Sequence, residues 1–368
     1  MTSGVHRVSA DVWTDGTAST CLSGMDTTDD IAHARAHIVV ANARNSRECT
    51  RAESRGELVR VYRNILVTRS YLETEDWWEF VRRTNLVRAI AVCLVHPGVV
   101  VSHGTALDVR GVAGLGDIVD VHVVVGSSWR RGGEDVLPAL RIGTLHAPGA
   151  SIVRHRFDPP AATVEDVGIP LASLELAAVQ CAFACEPREA VVLVSGALRR
   201  LCGFDRFDLE GSRVREEVWR NRMKALLDEL PTRRHRVRAR VVLEVVDGAC
   251  ESVPERLLLW ILAAAGFGGV KTQMRIEAGG RTFYADFGVP DLWVVIEFDG
   301  KEKYGRDRWT ILESLSTRDR RQKLIEAAGW TVVRFEFREL GDPAAVAHEV
   351  ASRVRGRVRL HPIRVLAG

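Results

Sequence analysis

The chain has 368 residues, of which 46% are hydrophobic and 27% are charged. This balance supplies enough apolar side chains for folded cores, so it excludes a wholly disordered protein, and the length favours two or three domains. The formal net charge is only +3, so the sum of the charges does not by itself indicate a nucleic-acid-binding protein.

The cysteines and the apolar segments indicate in which cellular compartment the protein is expected. The seven cysteines are scattered, and Cys181 and Cys185 have helical spacing without the second pair that a zinc site needs. They are interpreted as buried thiols of a reducing compartment. No apolar run approaches the roughly 20 residues that cross a bilayer, and the amino terminus lacks the pattern of a signal peptide. We therefore expect a cytoplasmic protein without a membrane partner.

The first part of the chain has the pattern of a DNA-binding domain. Residues 1–30 are rich in Ser, Thr, Gly and Asp without an apolar period, which predicts a disordered tail. In residues 31–75 a short helical pattern precedes two alternating strands about a turn within 55–67, as in a winged helix. We expect this domain to bind DNA.

A stripe of arginines supports that expectation. Four arginines before the hairpin follow one another at steps of three or four residues, which places them along one helix face. The candidate DNA contacts, including two arginines of the hairpin, are Arg44, Arg47, Arg51, Arg55, Arg60 and Arg63. The alternative is an ordinary solvated face, because Glu48 and Glu53 lie among these arginines.

Residues 76–240 mix helical and strand periods and predict a central α+β domain. Its last helix, expected over 214–230, leads into a basic segment, and the arginines between Arg213 and Arg240 are either a helix surface or a wall that faces phosphates. His103 has no acid or nucleophile at a suggestive spacing, so it is interpreted as a structural histidine. Pro231 and the arginines after it mark the boundary of this domain.

Residues 241–368 predict a third domain in the order helix, three strands, helix and strand. The segment from Ser252 to Glu255 has the spacing of a capping box, with a proline in the first turn, and so indicates a helix start. The strands are expected at 271–277, 281–287 and 292–299, the second helix at 312–328 and the last strand at 331–337.

Acidic residues converge in this pattern. In the strand 292–299, Glu297 and Asp299 point to one face, roughly 7 Å apart along the strand. Asp286 ends the preceding strand, and an antiparallel return brings it beside them. Carboxylates suit a hard divalent ion, so Asp286, Glu297 and Asp299 are the candidate ligands of Mg²⁺ or Mn²⁺ in phosphodiester cleavage.

Two lysines follow the acids after a glycine that permits a sharp turn. Lys301 and Lys303 are either solvated turn residues or catalytic residues that orient water or neutralise the charge on phosphorus. Glu255 likewise has two interpretations, as a helix cap or as an acid of the site.

The chain resembles an actinobacterial domain of unknown function that is related to very-short-patch repair endonucleases. The resemblance rests on Glu255, Asp286 and the segments Glu297–Tyr304 and Gly329–Phe335. The resemblance covers about a quarter of the chain, and it implies a restriction-endonuclease-like fold of the PD-(D/E)XK superfamily. It implies that Asp286 and Glu297 are the metal-binding acids, that Glu255 is the acid of the first helix, and that Asp299 stands where the family has a lysine. Lys301 or Lys303 would then substitute for that lysine.

The first two domains resemble the winged-helix antitoxins of abortive-infection (AbiEi-type) systems, on the residues Arg55–Val61 and Val101–Ala106. This resemblance implies a partner toxin of the nucleotidyltransferase class. Where the family has an arginine, a threonine and an aspartate, this chain has Leu176, Ala177 and Gln180.

The sequence thus predicts a multidomain α+β or α/β protein: a winged helix, a central α+β domain, and a restriction-endonuclease-like mixed sheet flanked by helices. The first functional hypothesis is a DNA-binding, magnesium-dependent endonuclease. The second is a repressor or antitoxin of a type IV toxin–antitoxin system whose nuclease-like domain no longer cleaves.

Overall fold

The computed structural model describes residues 27–116, 120–126, 136–156, 159–230, 235–299, 308–354 and 360–367, with the main chain only for 308–317. Nearly all of the expected tail, as well as Lys301 and Lys303, lies outside the described residues. The chain divides into two compact units. We call residues 27–268 with 360–367 the larger unit, and residues 269–354 the smaller unit. Both contain helices and sheets, so the protein is of mixed α+β class.

The larger unit begins with a small antiparallel sheet and helices around it. The elements are α1 (Thr27–Ala36), β1 (Ile38–Val40), α2 (Ser46–Ser54), β2 (Leu58–Tyr62), β3 (Ile65–Thr68) and α3 (Arg69–Leu72). The predicted hairpin is present as β2 and β3, and its turn contains Arg63 with a positive φ of 43°. Strand β1, which has only three residues and was not expected, pairs with β3 to give the order β1-β3-β2.

A six-stranded sheet forms the middle of the larger unit. The elements are α4 (Trp77–Val95), β4 (Val100–Val101), α5 (His103–Val109), β5 (Val121–Val125), β6 (Val136–Leu137), β7 (Leu140–Ile142), β8 (Leu145–Ala147), β9 (Ala150–Arg156), β10 (Val164–Asp166) and β11 (Pro170–Ala172). The strand order is β10-β11-β4-β5-β9-β6, with β5 and β9 parallel, while β7 and β8 form a separate hairpin. Asp76 caps the long helix α4 by accepting the N–H of Glu79 at 2.8 Å.

Helices complete the larger unit. They are α6 (Leu174–Ala184), α7 (Pro187–Cys202), α8 (Leu209–Glu229), α9 (Arg236–Val245) and α10 (Val253–Ala265). Helices α6 and α7 bury nearly all of their apolar side chains, and Gly203 ends α7 in the left-handed conformation at a φ of 54°. In the described part of the chain, no helix combines the length and the apolarity that crossing a bilayer demands.

The arginines between 213 and 240 have partners within the molecule. Glu216, only 2% exposed, forms ion pairs with Arg213 at 2.6 Å and Arg220 at 2.7 Å. The other described basic residues contact Asp208 (Arg215), Glu175 (Arg222), Glu244 (Lys224), the Leu230 carbonyl (Arg236), the Phe183 carbonyl (Arg238) and Asp228 (Arg240). This cluster therefore stabilises helix packing, as the helix-surface interpretation requires, while Arg233 and Arg234 lie outside the described residues.

Helix α10 belongs to the larger unit, although the sequence grouped it with the strands that follow. Its Arg256 is 8% exposed and donates to the Ala113 carbonyl at 3.4 Å, and its Trp260 donates to the Leu366 carbonyl at 3.0 Å. The compact division falls at residue 268 rather than at the expected boundary of 240 and 241. Local charge and proline signals do not reveal which core an apolar helix joins.

The smaller unit is a four-stranded mixed sheet with helices. Its elements are β12 (Lys271–Ala278), β13 (Arg281–Val289), β14 (Val294–Phe298), α11 (Arg308–Ala327), β15 (Thr331–Phe335) and α12 (Pro343–Arg353), and α13 (Arg364–Ala367) follows in the larger unit. The sheet order is β12-β13-β14-β15, with antiparallel pairs up to β14 and a parallel pair β14–β15. The predicted element order is therefore confirmed. Strand β14 starts at Val294 and not at Leu292, because a 3₁₀ turn and a left-handed Trp293 precede it.

The half-buried Asp108 predicts a pH dependence for the stability of the larger unit. Burial raises the pKa of Asp108, on α5, to about 7 from an ordinary 3.8, although Asn85 and Arg82 oppose the shift. The folded state then keeps a proton that the unfolded state releases in this range. The free energy of unfolding therefore falls as the pH rises from 3.8 towards 7 and levels off above it.

We expect the isosteric change Asp108→Asn to remove this dependence. The free energy of unfolding of the wild type should fall by about 2 kcal/mol more than that of the variant between pH 5 and pH 8. Urea unfolding followed by circular dichroism at both pH values measures the difference, with Asp29→Asn at an exposed position as the control. Parallel pH profiles for the wild type and Asp108→Asn would contradict the assignment.

Candidate functional site

Strands β13 and β14 carry the two acids that the sequence singles out most clearly. The last bridge between these strands joins Phe287 to Ile296, and the next position of the same register sets Asp286 opposite Glu297. The Asp286 Oδ2 accepts the backbone N–H of Phe298 at 2.8 Å. The antiparallel return therefore brings Asp286 to the end of β14, as predicted.

Glu297 is a buried carboxylate that two arginines compensate. It is 7% exposed, and its oxygens lie 2.8 Å from Arg321 of α11 and 2.8 Å from Arg334 of β15. Arg334 reaches Oε2 with two nitrogens, Nη2 and Nε, the latter at 3.0 Å. Since an uncompensated buried charge is costly, this pairing allows an acid to stand in an apolar strand.

Asp299 follows β14 and is held separately. Its backbone N–H donates to the Phe335 carbonyl at 2.9 Å, and its carboxylate forms an ion pair with Arg318 of α11. Arg318 and Arg321 are three residues apart on one face of the helix. The helix thus brings two guanidinium groups to two acids of the same strand end.

The three acids that the sequence predicts as magnesium ligands do not all come together in this arrangement. Carboxylate oxygens are the donors that Mg²⁺ prefers. However, arginines contact both oxygens of Glu297, and the oxygens of Asp286, Glu297 and Asp299 do not all lie within 4.8 Å of one another. The predicted convergence of three acids is therefore not present, because alternation along a strand does not reveal cations that arrive from a helix.

Glu255 takes part in the cap of α10, with Ser252 as the N-cap residue that the spacing predicts, although its carboxylate binds the Glu251 N–H and not the Ser252 N–H of a full capping box. Its backbone N–H donates to Ser252 Oγ at 3.3 Å, while its carboxylate accepts the Ser252 hydroxyl and the Glu251 N–H, each at 2.8 Å. The residue starts α10 in the larger unit. These bonds account for its position in the sequence by capping alone.

The six candidate arginines near the hairpin fall into two groups. Arg55 is bound to Glu57 at 2.7 Å, and Arg60 is bound to Glu53 at 2.5 Å. The other four are exposed on α2, on the turn before it, or at the hairpin tip: Arg44, Arg47, Arg51 and Arg63. Arg63 lies over the Tyr62 ring at 5.2 Å from its centre. Among the described residues, Arg44, Arg47 and Arg51 form no ion pair.

Three histidines meet in the central sheet, a cluster that the sequence analysis did not predict. We call His103, His122 and His155 the histidine cluster. One ring nitrogen of each lies within 4.8 Å of those of the other two, and it is the one such group of three or more His, Cys, Asp or Glu in the described residues. His122 Nδ1 lies 2.9 Å from His155 Nε2, and the His103 and His155 rings stack at 3.6 Å.

All three rings are held in the neutral form. Burial lowers the pKa of His103 well below its ordinary value, and the neighbouring histidines lower it further. Burial also lowers the pKa of His122, and it lowers that of His155 to about 4 with a contribution from His122. Three neutral imidazoles therefore meet in one place at neutral pH, and two of them, His122 and His155, are joined by a hydrogen bond between their ring nitrogens.

The sequence signal for this cluster is weak. His122 interrupts a strand of valines, His155 lies between two arginines, and His103 follows a strand end, but 19 and 33 positions separate the three histidines. Only the parallel pairing of β5 with β9, in which Val124 faces His155 and His122 faces Val153, brings two of them together. The interpretation of His103 as a lone structural residue omitted these partners.

Comparisons with protein-family models and with curated proteins find no match to this chain.

The Glu297 pairing gives a stability prediction. Glu297→Gln leaves Arg321 and Arg334 without their shared carboxylate, so we expect the smaller unit to lose about 1–3 kcal/mol, less than a fully buried pair because Arg321 is partly exposed. Hydrogen exchange of the β14 and β15 amides measures this loss. The exposed Asp319→Asn on α11 is the control and should leave the exchange unchanged. Equal protection in both variants would show that the pairing contributes no stability.

Proposed function

We propose that this protein binds double-stranded DNA with the surface formed by α2 and the β2–β3 hairpin. The observation that carries the proposal is the exposed stripe Arg44, Arg47 and Arg51, which form no ion pair with a described acid. The arginines at 213–240 contrast with it, since their described members are bound within the molecule. Unpaired cations on one face of a helix are suited to phosphate contacts.

The dimensions and the order of elements agree with this proposal. Helix α2 has nine residues; a helix with its side chains is roughly 10–12 Å across, which the major groove of about 12 Å admits. Helix α2 and the β2–β3 hairpin that follows it support the winged-helix interpretation, and the short strand β1 adds a third strand to the hairpin. Arg63 at the hairpin tip extends the basic surface beyond the helix.

We further propose that the protein acts as a DNA-binding regulator of the repressor or antitoxin type, without cleavage. Arginines from α11 and β15 compensate the buried acid of the smaller unit, so it carries its own counter-charges. An ion that shared Glu297 would have to displace them. The nucleotidyltransferase partner stays a prediction of the family resemblance.

The second candidate is a metal-dependent endonuclease. The observation in its favour is the position of Asp286 opposite the buried Glu297 at the end of a central strand. Lys301 and Lys303 follow in the sequence. This candidate requires Arg321 and Arg334 to release Glu297 when the substrate arrives.

Removal of two stripe arginines tests the DNA-binding surface. We expect Arg47→Ala/Arg51→Ala to weaken binding about equally for unrelated DNA sequences, because phosphate contacts do not read bases. The slope of log affinity against log salt should fall by about 1.8, since each lost contact contributes about 0.9. Fluorescence anisotropy over a salt series measures both effects.

The matched control is Arg188→Ala/Arg206→Ala, which removes the same charge from exposed positions in the helical part of the larger unit. It should leave the salt slope as in the wild type. If the control lowered the slope as much as the stripe variant, net charge and not this surface would account for binding.

A cleavage assay separates the two candidates. The regulator proposal expects no metal-dependent cleavage of linear, nicked or branched DNA by the full chain with Mg²⁺ or Mn²⁺, while binding persists. Cleavage by the wild type that Asp286→Asn and Glu297→Gln both abolish would establish the endonuclease instead. Circular dichroism of both variants checks that lost activity is not lost folding.

A further inference from the structure

The histidine cluster has the geometry and donor chemistry of a transition-metal site. His103 is the first residue of α5, directly after β4, while His122 and His155 lie on the neighbouring parallel strands β5 and β9. Three rigid elements thus deliver three imidazoles to one side of the central sheet, where their ring nitrogens lie within 4.8 Å of one another. Sites held by strands and a helix start keep their geometry better than sites on loops.

The donor atoms select the class of ion. Imidazole nitrogen suits Zn²⁺, Co²⁺, Ni²⁺ and Cu²⁺, whereas Mg²⁺ and Ca²⁺ prefer oxygen. In a tetrahedral zinc site with bonds of about 2.0–2.1 Å, ligand nitrogens lie roughly 3.3 Å apart. The 2.9 Å between His122 Nδ1 and His155 Nε2 is near that separation. This contact is a hydrogen bond, so an ion that binds both nitrogens displaces the shared proton, which is released or moves to the other nitrogen of its ring.

A contact with Ser102 already orients the His103 ring as a metal ligand requires. The hydroxyl oxygen of Ser102 lies 2.9 Å from His103 Nδ1, which fixes the ring and leaves Nε2 as the free nitrogen. His103 is 1% exposed, and Nε2 has no hydrogen-bond partner among the described residues. A buried polar atom without a partner requires an explanation, and a bound ligand or ion is one.

The backbone conformation of His103 is unusual as well. Its φ is 53°, in the left-handed region that non-glycine residues seldom adopt, and its N–H is held by Gln180 Oε1 at 3.0 Å. The Nε2 of Gln180, which is fully buried, also has no partner among the described residues. Strained residues of this kind concentrate at functional sites.

The site is accessible from solvent, and the His155 ring can rotate. His122 and His155 are half-buried, so an ion reaches the cluster from their side. The stacked His103 and His155 rings are only 19° from parallel, and a metal must lie in the plane of each ring that binds it. Rotation of the half-buried His155 ring about its Cβ–Cγ bond therefore accompanies binding.

We propose that the larger unit binds one zinc-class divalent ion through His103 Nε2 and a ring nitrogen each of His122 and His155. Three protein ligands leave a fourth tetrahedral position open to water. Ser102 is a positioning residue for His103. This site is independent of the DNA-binding surface and of the acids in the smaller unit.

Metal titration of the full chain tests the proposal. After treatment with a chelator, the protein is titrated with Zn²⁺ by calorimetry and with Co²⁺ by visible absorption. We expect one ion per chain, and about 100-fold weaker binding in His122→Gln and in His155→Gln, because each removes a ligand. Ser102→Ala should weaken binding about 10- to 100-fold, as loss of a ligand's hydrogen-bond partner does at other metal sites.

Two other histidine changes serve as controls. His146→Gln is exposed on β8, and His33→Gln disrupts the pair His33 and His37, whose rings lie 5.1 Å apart on another part of the unit. Both should bind Zn²⁺ as the wild type does. Wild-type binding no tighter than that of His155→Gln, or binding that is lost in His33→Gln, would overturn the proposal.

Discussion

A carboxylate within an apolar sheet requires compensation, and the pairing of Glu297 with Arg321 and Arg334 provides it in the smaller unit. The two arginines come from α11 and β15, so one buried charge ties a helix to two parallel strands. Arg334 also donates to Gln322 of α11, which extends the same network. Removal of any member leaves a buried charge or polar group unsatisfied. The geometry of the strand end, and hence any chemistry of Asp286 and Glu297, depends on this network.

The same principle distinguishes the arginines of the larger unit. Around Glu216, helix packing uses guanidinium groups as internal donors, and their positive charge is offset within the fold. Along α2, Arg47 and Arg51 project into solvent and form no ion pair with a described acid. Two segments of similar arginine content therefore have opposite roles. The density of basic residues indicates little about nucleic-acid binding until their partners are known.

The histidine cluster illustrates a third way of burying polar groups. Its rings are kept neutral by burial, and His103, whose Nε2 has no hydrogen-bond partner among the described residues, lies beside two other imidazoles. Strands β5 and β9 supply a fixed spacing, and the turn from β4 into α5 supplies the third ring. The central sheet thereby concentrates nitrogen donors, while the smaller unit concentrates oxygen donors that are already matched by cations.

Much of the local structure follows from the sequence alone. Period and capping predicted α4, α10, the β2–β3 hairpin and the strands around Asp286, because hydrophobic alternation and caps are properties of short segments. The bounds of β14 differed by two residues, since a left-handed Trp293 leaves no mark in the pattern.

Tertiary structure alone decided which core α10 joins, which arginines meet Glu297, and that three distant histidines come together. Each of these depends on a contact between residues far apart in the chain. The free energy of such a contact depends on both elements that form it, and the sequence of one element does not specify where the other lies.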